Sequence, residues 1–375
     1  MESHIRGPVP ASRAFTTNSE AAAWSQAGLL ATLGVQLTED GDLLDDMPPG
    51  AVRVRPLRRP FSRSDARHVL TELGSGVEPS GSTFAVSASL TETQARLWSQ
   101  ATSSAAAATL LYVSMESPHP VVRAVSAAEV LRLTREPDRQ ALDVLAEECD
   151  SPETAIRTIA THALTRAAPS HPALLTTGGE RPAPPQPTPT PTSASLLVHG
   201  TFARLGSTWW RPGSAFFTYI KSNVSANLYD KSDYFRWTGR YSGDARGMGA
   251  EDFTTWVRRK QVELDTVFAH SHGGNVVLDA AADGVRMRLL TLLSVPARKR
   301  SASQWAAITR NVGRVFALRV RCDVVVLCDR ARQEYRRPVR TLALNIWFDH
   351  GAVLSPSVWE RYDLPKEIRS EHALA

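Results

Sequence analysis

Residues 264–282 constrain the fold of this chain more than any other stretch. A mainly apolar, strand-like segment, 264–269, runs into His270-Ser271-His272-Gly273-Gly274-Asn275, and a helix-compatible amphipathic stretch, 276–282, follows. Ala269 stands two residues before Ser271, and Gly273 two after it. A strand that turns at once into a helix leaves no room for side chains at the turn, so small residues must flank it. Such a turn places Ser271 at the carboxyl end of a strand, where sites form in open parallel sheets.

The region around this turn keeps the same rhythm. Short apolar runs lie at 196–198, 234–237, 289–294, 312–320 and 342–346, with helix-like stretches at 244–261, 272–282 and 303–310. Alternating strand and helix predicts a mostly parallel sheet with helices on both faces. A proline- and threonine-rich segment, 181–193, precedes this region. Its prolines neither donate to a ladder nor continue a helix, so it reads as an extended linker. The α/β domain is therefore expected over 194–375.

Upstream, residues 92–168 carry helical periodicity, and the helical domain is drawn at 66–180. It contains an internal repeat: Ser117-Pro118-His119-Pro120-Val121-Val122-Arg123 returns 34 residues later as Ser151-Pro152-Glu153-Thr154-Ala155-Ile156-Arg157. Serine followed by proline reads as a helix start, with the serine as cap. The pattern resembles HEAT-type helical repeats; a generic small helical bundle fits it equally. Residues 1–65, rich in Pro, Ser and Arg with little periodicity, read as a poorly ordered segment.

Composition narrows the function classes. The chain has no apolar run of the roughly 18 residues a membrane helix needs. Its first residues lack the apolar core of a secretory signal, so the expected location is cytoplasmic. Three scattered cysteines, Cys149, Cys322 and Cys328, make no disulfide framework and fit free thiols in a reducing compartment. A net charge of +5 is mild, and the arginine clusters lack interleaved aromatics, so nucleic acid is not expected as a partner.

Serine becomes a nucleophile only with a base in reach and an acid to orient that base. For a serine on such an elbow the chain order is serine, acid, histidine. Two histidines follow the elbow's own His272. His372 lies three residues from the C-terminus and reads as frayed. His350 follows an apolar strand, where a loop begins, and is the expected base. Two acids compete, Asp323 and Asp329, 27 and 21 residues before His350, with Asp323 favoured. The oxyanion formed by attack needs preorganised donors. The amide of His272 would supply one, and the amide of Thr201 or Phe202, after Val198-His199-Gly200, the other. His199 itself reads as structural. Of the aromatics after that loop, Phe202, Trp209 and Trp210 are the expected pocket residues, with Trp209 and Trp210 assigned to substrate binding; Phe216 and Phe217 read as core.

On these residues the region from about 196 to 364 resembles an α/β-hydrolase of the serine esterase or lipase type. Leu196-Leu197-Val198-His199-Gly200-Thr201, Ala269-His270-Ser271-His272-Gly273-Gly274 and Trp347-Phe348-Asp349-His350 carry the resemblance. Phe235-Arg236-Trp237-Thr238-Gly239, with Ser242 and Arg246, is similar to a strand-to-helix passage in that group. The chain departs from the pattern in having Ala269 where the elbow usually begins with glycine. The resemblance implies a Ser-His-Asp triad of Ser271, His350 and Asp323, no cofactor or metal, and hydrolysis of a small or lipid-like acyl ester. Only 52 residues separate Ser271 from Asp323, which leaves little room for a lid and suggests an open site or one under short loops. Two other readings use the same residues differently: an acyltransferase or thioesterase with this triad, or a non-catalytic interaction protein whose helical domain binds a protein partner.

Overall fold

The computed structural model describes residues 18–38, 43–44, 47–72, 88–174, 193–201, 208–332, 335 and 338–375. The linker, apart from Ser193, and Phe202 lie outside the described residues.

The N-terminal half, among the described residues, is built of helices: α1 (Asn18–Leu37), α2 (Arg63–Glu72), α3 (Ala88–Gln100), α4 (Ser104–Ser114), α5 (Pro120–Leu133), α6 (Arg139–Glu148) and α7 (Thr154–Ala167). Helix α1 falls in the segment read from sequence as poorly ordered, and that reading is corrected for 18–37. Trp24, Ala27, Leu30, Ala31, Leu33 and Val35 are all buried, and α1 packs along α5. A helix buried on most of its circumference has no polar stripe, so it leaves no amphipathic period to read.

The internal repeat has a physical basis, although its serines do not cap. The N-caps are His119 and Glu153, neither with a side-chain cap bond. Instead, Ser117 Oγ accepts from the His119 amide and Ser151 Oγ from the Glu153 amide, both at 3.3 Å. Arg123 donates to the Ser117 carbonyl, and Arg157 donates to the Ser151 carbonyl. Each copy thus builds the same serine turn, tied back by an arginine one helical turn inside the following helix.

The second half is an α/β fold. Strands β1 (Ser193–Val198), β2 (Glu263–His270), β3 (Met287–Leu293), β4 (Val312–Arg321) and β5 (Arg340–Trp347) lie in that spatial order, every neighbouring pair parallel. Helices α8 (Ala215–Asn223), α9 (Gly243–Lys260), α10 (His272–Ala282), α11 (Ala302–Asn311), α12 (Val324–Cys328), α13 (Pro356–Arg361) and α14 (Leu364–Ala373) complete it. One face of the sheet packs on Phe253, Trp256, Val276, Val277 and Ile308; the other packs on Phe216, Phe217, Ile220, Trp359 and Ile368. Residues 234–237, read as a strand, form none. The chain meets the sheet earlier, at an isolated parallel bridge between Leu228 and Ser195. Phe235 and Trp237 are apolar because they are buried under α9. His372 is not frayed: on α14, its Nε2 lies 2.7 Å from Asp265 Oδ1.

The two halves share one core. Cys322 and Phe348, which directly follow β4 and β5, and Val324, Val325, Leu327 and Cys328 of α12 join the apolar cluster of the helical half. Cys149, Cys322 and Cys328 are buried and form no disulfide. Among the described residues no helix is long and apolar enough to cross a membrane.

Candidate active site

Ser271 sits alone between β2 and α10, with φ 50° and ψ −138°. That conformation is uncommon for a non-glycine residue and costs about 1–3 kcal/mol, so its surroundings must impose it. They do so by close packing. The Ser271 amide donates to the Leu293 carbonyl at the end of β3, 3.0 Å away. A Cβ at Gly200 would lie 2.7 Å from Ser271 Cβ, and one at Gly273 would lie 2.3 Å from the His199 carbonyl oxygen. The glycines therefore serve approach of backbone to backbone. Ala269 is fully buried, and its methyl is accommodated in the core.

His350 follows β5, and Asp323 follows β4. His350 Nδ1 lies 2.8 Å from Asp323 Oδ2 and 3.0 Å from Oδ1, with both side chains buried. Asp323 is also the N-cap of α12, where Oδ1 accepts from the amides of Val325 and Val326. These donors fix the carboxylate from one side while the imidazole binds it from the other. The run 324–328 is a helix and not a continued strand, which is what ends β4 before Asp323 and turns its side chain back to His350.

Asp329, the competing acid, belongs to a different cluster. Its carboxylate accepts from Tyr241 Oη and from Arg298 Nη2, and its Oδ2 lies 3.4 Å from His272 Nε2. The His162 ring stacks on Tyr241 at 3.5 Å. Burial works against the Asp329 charge, but the groups facing it, His272 first and then His162 and Arg298, hold its carboxyl well below the usual carboxylate range. Burial pushes His272 down to about 4 against the pull of Asp329. His162 is likewise held well below the ordinary histidine value, by burial first. His162, His272 and Asp329 are the group, among the described residues, whose ligand atoms cluster within 4.8 Å as a metal site would require.

Ser271 and His350 line one cavity of about 600 Å³, together with His270, Thr201, Trp209 and Phe216. No hydrogen bond joins Ser271 Oγ to His350. The His272 amide, first in α10, belongs to the turn whose amides lack intrahelical acceptors. Thr201 is buried at the cavity wall; Phe202 lies outside the described residues. Trp209 lines the cavity, its ring edge-on to His270. Trp210 does not, and its assignment to substrate binding is corrected. It is buried, with its ring 4.3 Å from that of His199. His199, between Trp210 and Trp237 and accepting from Trp237 Nε1 through its carbonyl, is structural.

Sequence reasoning missed two contributors. His270, read only as part of the elbow, faces the cavity with its ring 4.6 Å from that of His350. Residues 152–155 and Thr158, at the start of α7, also wall the cavity. The cover expected from short loops is thus supplied partly by the helical half. No local signal marks these residues, because the contact is made across the linker. Compared with known proteins, the chain matches no family model and no curated sequence.

Proposed function

We propose that this protein is a serine hydrolase that cleaves a carboxylic or lipid-like ester through an acyl-enzyme intermediate. The observation that carries the reading is the 2.8 Å contact of His350 Nδ1 with Asp323, made beside a strained Ser271 that lines the same cavity. With Nδ1–H donated to the carboxylate, Nε2 is left as the basic nitrogen. It takes the Ser271 proton as Oγ attacks the acyl carbonyl carbon. The developing oxyanion accepts from the His272 amide and from the Thr201 or Phe202 amide. The imidazolium then protonates the leaving alcohol, whose C–O bond breaks. Water, losing a proton to the same nitrogen, attacks the acyl-enzyme and releases acid and free Ser271. A Ser271–His350 hydrogen bond is expected to form on substrate binding, since such contacts often close only in the substrate complex.

The test compares the full chain with Ser271→Ala. Wild type should react covalently with a fluorophosphonate and hydrolyse a short-chain chromogenic ester, with a burst of about one alcohol per chain. The alanine variant should do neither. Equal inertness of both proteins sinks the reading.

A further inference from the structure

The segments that carry His350 and Asp323 both leave the sheet and run into the helical half. Phe348, two residues before His350, has φ 69°, a conformation a bulky residue rarely adopts. Its amide donates to the Arg321 carbonyl and its carbonyl accepts from the Val324 amide, so it ties the histidine loop to the segment on either side of Asp323. Its ring is seated against Gly28 of α1. A Cβ at Gly28 would lie 2.1 Å from Phe348 Cδ1 and 2.3 Å from Cγ. Cγ is not a flexible tip, so the whole ring would have to move.

The far end of α12 is gripped by the same half. Arg132 donates to the Cys328 carbonyl, and Arg166 donates to the Asp329 carbonyl. Glu129, fully buried on α5, accepts from Arg330 Nη1 at 3.2 Å and Nη2 at 2.5 Å. A Cβ at Gly34 would lie 2.2 Å from Glu129 Oε2, so α1 again makes the space.

We propose that α1 is a positioning element of the active site: Gly28 seats the Phe348 ring, and that seat sets where His350 stands relative to Ser271 and Asp323. The inference rests on the serine-hydrolase reading. Strained backbone persists only where the surroundings over-determine it. Here the ring, wedged on a bare helix backbone, supplies that constraint. A shift of the ring is passed through two residues to the imidazole, and a misplacement of about 1 Å at reacting groups costs up to about 100-fold in rate. Helix α1 itself would not suffer from a methyl at position 28, because alanine is the better helix former.

The experiment is a double-mutant cycle in the full-length protein: Gly28→Ala, Phe348→Ala and the pair. It reads kcat and KM on the chromogenic ester, fluorophosphonate labelling and thermal unfolding. Gly28→Ala should lower kcat roughly 10- to 100-fold with KM within about 2-fold. In the Phe348→Ala background the methyl enters the space the ring leaves, so Gly28→Ala should lower kcat no further. Unchanged kcat in Gly28→Ala, or additive effects across the cycle, overturns the positioning role. If Gly28→Ala does not fold, Phe348→Leu reads the same seat without altering α1: a fall in kcat at constant KM supports the role, and unchanged kcat overturns it. A wild type that neither labels nor turns over ester overturns the hydrolase reading itself; a labelled wild type with a fully active Gly28→Ala overturns the positioning role alone.

Discussion

His350 Nδ1 is bonded to Asp323, while Asp329, six residues later, faces His272 from the opposite end of one short helix. The two acids therefore have separable roles. Asp323→Asn should lower kcat by roughly 10³- to 10⁴-fold, because an amide holds the imidazole in the wrong tautomer. Asparagine still accepts from the Val325 and Val326 amides as a cap, so stability should change little. Steady-state kinetics and a urea titration on the same preparation check both halves. A variant with near wild-type kcat would remove Asp323 from the mechanism.

The Glu129–Arg330 pair should be a point of weakness for folding. Glu129 is fully buried, with Arg330 and Arg132 also largely buried around it. Glu129→Gln leaves two buried guanidinium groups facing a neutral amide. Breaking one side of such a pair costs about 3–5 kcal/mol. The urea midpoint should fall accordingly. Glu129→Leu combined with Arg330→Met should fall less, since it leaves one buried guanidinium, Arg132, without its carboxylate instead of two. If the double variant is the less stable of the two, the desolvation argument is wrong.

Acid should unfold this protein from a higher pH than its carboxylates alone require. Burial holds His162 and His270 well below the ordinary histidine value and His272 at about 4. Each folded-state pKa is lowered, so the unfolded chain binds the proton first. As pH falls from about 6.5 toward 4, the unfolded state gains protons the folded state refuses, and stability drops. Each histidine contributes up to about 1.4 kcal/mol per pH unit in that window. Above about 6.5 the loss is absent. Asp329, held low, adds its own loss only below about 4. Urea midpoints between pH 7.5 and 4.5 should decline, and His162→Asn should make the slope shallower. A flat profile would contradict the burial of these rings.

The two adjacent tryptophans should separate by assay. Trp209→Ala alters the cavity wall and should raise KM with little change in the urea midpoint. Trp210→Ala opens a hole beside His199 and should cost about 3–5 kcal/mol of stability. Reversed effects would place the wrong indole in the cavity.

Local chemistry made much of this structure readable. The turn at Ser271 is written in Gly200, Gly273 and an apolar strand, because backbone meets backbone there and only small residues allow it. His350 is marked in the sequence by its place after an apolar strand. The choice between Asp323 and Asp329 stayed open, since a run of valines between two acids suits a strand as well as a one-turn buried helix. Helix α1 escaped notice for the opposite reason: it is so thoroughly buried that it carries no periodic polar face.

The sequence by itself determined the parallel α/β half and the tight turn at Ser271. These follow from side-chain period and steric size over a few residues. Only the tertiary structure decided which acid meets His350, which tryptophan faces the cavity, and that the helical half walls the cavity and grips both loops. Those outcomes depend on pairs such as Glu129 with Arg330, 201 residues apart, and Gly28 with Phe348. Such contacts exist only once two separately patterned halves share one core, and no spacing within either half encodes them.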